Sequence, residues 1–168
     1  TRKKWNWGGY ASSLAITFSV LLLIPLCMFA WVSYEDRLQE LTTFAGIELS
    51  ATSADVKFLK GDPIFQLERP EQKTHWRYQD TLNPGNLIDI IFQNGKVIEL
   101  SFTGPCEYCY NVNGFGNNTP YSDIVSRFGE PAETIVSKNE LEHRINYPQY
   151  NVFYVLQESR VTRHGIYH

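Results

Sequence analysis

The sequence predicts an α+β protein: one N-terminal transmembrane helix followed by a tandem repeat of short helix plus antiparallel β-meander. Three observations carry that expectation. Residues 5–34 contain no charged side chain, directly behind Arg2, Lys3 and Lys4. Residues 54–63 reappear in outline at an offset of 68 positions, over 122–131. Alternating, β-rich stretches bounded by turn residues follow both segments.

An uncharged run longer than about 18 residues is long enough to span a membrane as a helix. At ~1.5 Å per residue, Gly9 to Val32 would extend roughly 36 Å, against a hydrocarbon core of ~30 Å. The three leading cations favour the cytoplasmic side, which puts the C-terminal part outside, on the extracytoplasmic side. Trp5, Trp7 and Tyr10 at one end, with Trp31 and Tyr34 at the other, stand where amphipathic aromatics anchor to the two interfaces. A secretory signal starts in the same way. However, the apolar run exceeds a typical h-region, and Met28 with Ala30 is a poor cleavage pair. A retained, single-pass inner-membrane anchor is therefore expected. It carries no His and no ionisable group that could ligate a cofactor or relay a proton.

All 18 acids but only 12 of the 15 Lys and Arg follow Tyr34, so that part has a net charge of −6. With no basic cluster, nucleic acid is not an expected partner. Residues 35–45 are helix formers, with Leu38 and Leu41 three apart, and are expected to form a helical stalk. The remaining boundaries follow from the internal match: repeat 1 over 46–104, a connecting loop over 105–118, and repeat 2 over 119–168.

Each repeat has the same physical logic. A short helix starts near Thr52 or Ser53 in the first and at Thr119-Pro120 in the second, where Ser or Thr caps free amides and Pro fits the first turn. Asp55 and Asp123 favour the positive end of the helix dipole. Gly61 and Gly129 close the helices, and Pro63 and Pro131 prevent their resumption. Strands are expected around 74–79, 87–93 and 96–102, and again around 142–147, 151–157 and 160–167. Asn94-Gly95 is a strong two-residue hairpin turn. His75 falls on His143 at the same offset of 68, which favours structural places in strands for both.

The phrase "short helix, Gly-Asp/Glu-Pro, strands with a Gly-Lys-Val turn" resembles the SmpA/OmlA family of outer-membrane assembly lipoproteins. Its tandem form is similar to the two-repeat β-lactamase-inhibitor-protein architecture. The resemblance covers residues 46–168 and rests on short structural motifs. It implies protein–protein binding rather than catalysis. Family members are typically lipid-anchored, whereas here Cys27 follows Ile24-Pro25-Leu26 and no usable lipobox exists.

Cys106-Glu107-Tyr108-Cys109 is the one motif that looks chemical. Haem attachment needs His where Tyr110 stands, and zinc needs two further ligands. A thioredoxin-like site needs a helix beginning at the motif. In an oxidising compartment a local disulfide is the default, with a free pair or a redox or metal role as alternatives. His164 and His168 read as a solvated tail or a weak metal pair. No hydrolase, metalloprotease, phosphate-loop or calcium-loop pattern is present in the sequence.

The sequence thus predicts a non-catalytic, membrane-anchored accessory or assembly subunit that binds and stabilises a larger integral membrane protein complex. It touches the lipid bilayer and needs no cofactor, metal or small-molecule substrate. Trp76, Tyr78, Tyr108, Tyr110 and Phe115 are the partner-contact candidates, since aromatics anchor interfaces. One alternative is a tethered inhibitor or sensor domain binding a soluble periplasmic protein. Another is a thiol–disulfide oxidoreductase using Cys106 and Cys109.

Overall fold

The structure, a computed structural model, describes residues 38, 40–81, 83–106 and 109–168. The apolar segment 9–32 and its flanking Trp5, Trp7, Tyr10, Trp31 and Tyr34 lie outside the described residues. Among the described residues no helix is long and apolar enough to cross a membrane. The inner-membrane, single-pass placement is corrected accordingly: what the structure describes is a strand-built domain whose two α-helices have eight residues each.

A small hairpin of β1 (Thr43–Phe44) and β2 (Ile47–Glu48) comes first. Helix α1 (Ser53–Lys60) precedes β3 (Phe65–Arg69), β4 (Lys73–Gln79), β5 (Leu87–Gln93) and β6 (Lys96–Thr103). Helix α2 (Tyr121–Phe128) precedes β7 (Glu133–Val136), β8 (His143–Tyr147), β9 (Val152–Gln157) and β10 (Arg160–Tyr167). Strands β3 to β10 form one antiparallel sheet in the order β3-β4-β5-β6-β10-β9-β8-β7. The fold is therefore mostly β, and the expected α+β chain of separate helix-plus-meander units is overturned. The cause is the seam: β10 bonds to β6 over Arg163–Tyr167 and fuses both runs of strands into one eight-stranded sheet. β3 and β7 add edge strands beyond the three expected in each half. Every residue of both is exposed, so neither shows the in–out alternation by which strands are recognised.

One sheet face carries the core. Trp76, Tyr78, Ile88, Ile90 and Phe92 of the first half, and Ile145, Tyr147, Tyr154 and Ile166 of the second, pack with Val56 of α1 and Ile124 and Phe128 of α2. Both helices therefore lie on the same face. Thr52 caps α1 as a capping box, accepting from Asp55 N while the Asp55 carboxylate accepts from Thr52 N. Helix α2 has Pro120 at its N-cap and no side-chain cap, because the Thr119 hydroxyl instead accepts from Gly116 N at 3.3 Å. Gly61 and Gly129 end the helices at φ +79 with open space around a would-be Cβ, so backbone conformation selects glycine there. The Tyr78 hydroxyl donates to the Gly61 carbonyl (3.1 Å) and the Tyr147 hydroxyl to the Gly129 carbonyl (3.0 Å), tying each helix end to its strand.

The described part of the expected stalk is not helical. Phe44, Ile47 and Leu49 are buried, with Leu38 and Leu41 packed against the same core. Burial of these side chains under the hairpin replaces the expected solvated helix.

Candidate functional site

The face of the sheet away from the helices is polar, and the two halves fill it differently. In the first half, His75 of β4 lies between two charged groups: its Nε2 is 2.6 Å from Asp89 Oδ1 and its Nδ1 is 3.0 Å from Arg69 Nη2. A guanidinium can only donate, so Nδ1 accepts and Nε2–H donates to Asp89. Arg77 clamps the same carboxylate through Nε (2.7 Å) and Nη2 (3.1 Å). Burial by itself would raise the Asp89 pKa; the hydrogen bonds from Arg77 and His75 and the charge of Arg77 outweigh it and hold the carboxyl below its usual range. Both ring nitrogens of His75 are thus engaged, and the cluster has the form of a structural ion network.

In the second half, Arg144 of β8 lies 3.8 Å over the Phe153 ring and bonds Glu99 of β6 (2.8 Å) and Asn146 (2.9 Å). Asn146 donates to Glu133 at 2.6 Å. The cross-strand pairs Tyr78–Ile88 and Tyr147–Val152 show which positions correspond. Counting from them, His75 matches Arg144, not His143. The offset that relates the helices slips by one residue in these strands, and such a slip sends a side chain to the other face. His75 is buried in the ion cluster, whereas His143 is exposed.

The loop over 104–118 folds onto the helix-bearing face. Cys106 and Cys109 form a disulfide. Among the described residues no helix follows the motif before α2; those after it form turns and a Val112–Phe115 bridge. Buried Asn86 holds the loop, its Oδ1 accepting from Cys106 N at 3.4 Å. Tyr110 and Phe115 are half-buried against Phe102 and Phe128, with ring centroids 5.2 and 5.7 Å apart. Tyr108 lies outside the described residues.

His164 is fully buried beneath this loop, so the reading of a solvated tail is overturned for it, while His168 is exposed. Its Nε2–H donates to the Tyr110 carbonyl at 2.9 Å, and its Nδ1 is 3.0 Å from Asn117 Oδ1, whose amide nitrogen donates to the Gly104 carbonyl. A second ring proton would satisfy Asn117. Burial opposes that proton more strongly than the Tyr110 carbonyl favours it, and pushes the pKa down to about 4. Among the described residues no group of three or more His, Cys, Asp or Glu could hold a metal.

Trp76 and Tyr78 are core residues at 5% exposure each, which removes them as partner contacts. The exposed apolar surface lies elsewhere. Five of the eight exposed large hydrophobics among the described residues fall between 58 and 67: Phe58 (91%), Leu59 (55%), Ile64, Phe65 and Leu67. They occupy the outer side of α1, the turn after it, and edge strand β3. The sequence signal was the adjacent pair Phe58-Leu59 in a helix that buries Val56 alone. Ile135, Val136 and Leu141 form a smaller exposed group at the β7 edge.

No family model matches the chain, so the SmpA/OmlA resemblance remains an expectation from sequence. The chain is 30% identical over 104 residues to Protein Ycf2 of Buxus microphylla, covering 60% of this chain and 4% of that protein. It therefore spans about 4% of that relative's length. A DUF4309 family protein of Bacillus subtilis superposes with a TM-score of 0.55 at 12% identity, over 73% of this chain and 82% of that one. A cysteine-rich secretory protein of Staphylococcus aureus superposes with a TM-score of 0.54 at 9% identity, over 77% and 48%. An extracellular protein containing an SCP domain, from Bacillus anthracis, gives 0.51 at 12% identity, over 71% and 43%. A protein of Streptococcus mutans described as a β-lactamase inhibitor also aligns, but its TM-score of 0.29 carries no argument. At these identities the likeness is one of fold alone: this chain shares a fold with part of each of the first three structures.

Proposed function

We propose that this domain is a non-catalytic protein-binding module, an accessory subunit of a larger protein assembly, and that it docks through the α1–β3 end. The observation that carries the reading is the exposed apolar set Phe58, Leu59, Ile64, Phe65 and Leu67 at this end of the sheet. Phe58 and Leu59 lie on α1, whereas the register that sets Phe65 opposite Arg77 and Leu67 opposite His75 puts these two on the face away from the helices, so the sheet edge is apolar on both sides. The rim is supplied by Lys57, paired with Asp62 at 3.1 Å, and by Glu68 and Arg69. The interior chemistry supports a binding role: the His75 ring is saturated, and among the described residues the Cys106–Cys109 disulfide is followed by turns and not by the helix that would activate a thiolate. The fold shared with secreted and extracellular proteins agrees with an oxidised cysteine pair.

The test is photo-crosslinking of the full-length protein in its source cells, with a benzophenone amino acid at position 58 or, as control, at position 126 on α2. A discrete adduct from position 58, lost when Leu59→Ser and Ile64→Ser are added, is the expected result. Adducts equal from both positions, or none from position 58, would sink the reading.

A further inference from the structure

We infer that β3 is a symmetric docking edge that pairs antiparallel with β3 of a second copy of this chain. The inference names one partner for the α1–β3 surface and so rests on the reading that this surface binds protein. β3 is the terminal strand of the eight-stranded sheet, and one row of its backbone N–H and C=O groups faces no strand. All five of its residues are exposed, and Pro63 and Pro70, which cannot donate, bracket the stretch available for added pairing.

Backbone groups along a strand point alternately to its two edges, so two copies bond only when residues of the same parity face each other. A two-fold axis can then pass through Gln66, Leu67 or Glu68. Centring on Glu68 opposes two carboxylates, which is unfavourable. Centring on Gln66 sets Glu68 against Ile64 and Arg69 against Pro63. Centring on Leu67 uses all five residues and leaves no mismatch. Leu67 meets Leu67, Phe65 of each copy meets Arg69 of the other, and Gln66 meets Glu68. In the single chain Gln66 already donates to Glu68 at 3.4 Å, a weak bond that the second copy's carboxylate can replace. The opposite edge is less suited: β7 has four residues against the five of β3. A chain that self-paired at both edges would extend without closing.

The test uses full-length protein with Cys27→Ser and Leu67→Cys. Directly opposed Cβ atoms lie about 4.5–5.5 Å apart, close enough for a disulfide after small adjustment. Mild oxidation is expected to convert most of the protein to a species of twice the monomer mass. Gln66→Cys, Glu68→Cys and Ile135→Cys are expected to cross-link at least fivefold less. Should Leu67→Cys fail to accumulate, co-expressed Phe65→Cys and Arg69→Cys chains report the same register. No dimer from these variants, or equal dimer from Ile135→Cys, overturns the inference. If the position-58 adduct persists without a dimer, only the self-pairing fails; if both are absent, the protein-binding reading fails as well.

Discussion

The two halves of the sheet place different chemistry at corresponding positions. In β4 and β5, His75, Arg77 and Asp89 make a buried ion network in which one carboxylate serves an imidazole and a guanidinium. In β8 and β9, Arg144, Asn146 and Phe153 stand in the matching places, and the cation is held by a ring face and by Glu99 from across the seam. The helix-bearing face, by contrast, is apolar in both halves and tied by the same tyrosine-to-glycine-carbonyl bond. The backbone therefore specifies the packed face and leaves the open face free to vary.

The seam that joins the halves is the place to break the comparison most severely. A Cβ on Gly165 would meet the Leu100 carbonyl and the Ser101 Cα at 2.8 Å, both backbone groups that cannot swing aside. Gly165→Val is expected to cost about 4 kcal/mol in urea unfolding. An unchanged midpoint would mean that β6 and β10 do not approach so closely.

Removing one partner from each half sharpens the contrast. Asp89→Ala strands Arg77 and His75 around an empty site and is expected to cost about 3–4 kcal/mol. Arg144→Ala removes a guanidinium that is still 23% exposed and leaves Glu99, equally exposed, able to reach water, so it is expected to cost less, about 2 kcal/mol. Equal losses would erase the distinction between the halves.

Acidification separates them further. The unfolded chain protonates His164 near pH 6.5 and the folded chain only near 4. Stability is therefore whole above pH 6.5 and falls by about 3 kcal/mol as pH drops to 4. Asp89, held below its usual 3.8, adds its loss only at lower pH, as its folded carboxyl protonates. Urea midpoints between pH 7 and 4 should be flatter for His164→Gln; an identical slope would remove His164 as the cause. The smallest effect concerns the helices. Thr52→Ala is expected to cost about 1 kcal/mol, because it removes the hydroxyl that caps Asp55 N and leaves only the backbone half of the capping box on α1. Pro120→Ala removes no side-chain bond from α2 and should cost less.

Much of the local structure was legible in the residues. Gly61-Asp62-Pro63 and Gly129-Glu130-Pro131 mark the helix ends, and Asn94-Gly95 marks the β5–β6 turn, because φ preferences and missing donors act within a few positions. Thr52 was legible as a cap for the same reason, while Thr119 misled, since its hydroxyl bonds the preceding loop. The candidate site was much less legible. Trp76 and Tyr78 read equally well as an interface or as a core, and only their burial beneath α1 decided it. The exposed set Phe58, Leu59, Ile64, Phe65 and Leu67 is ordinary in composition, and became a surface once β3 was seen to be an edge.

What the sequence by itself determined was where helices and most strands begin and end, for these depend on contacts between near neighbours. What only the tertiary structure decided was that both runs of strands share one sheet, that His75 corresponds to Arg144, and which apolar side chains remain in water. Those outcomes depend on the pairing of β6 with β10 and on a one-residue register, interactions between segments some 60 residues apart that no local pattern encodes.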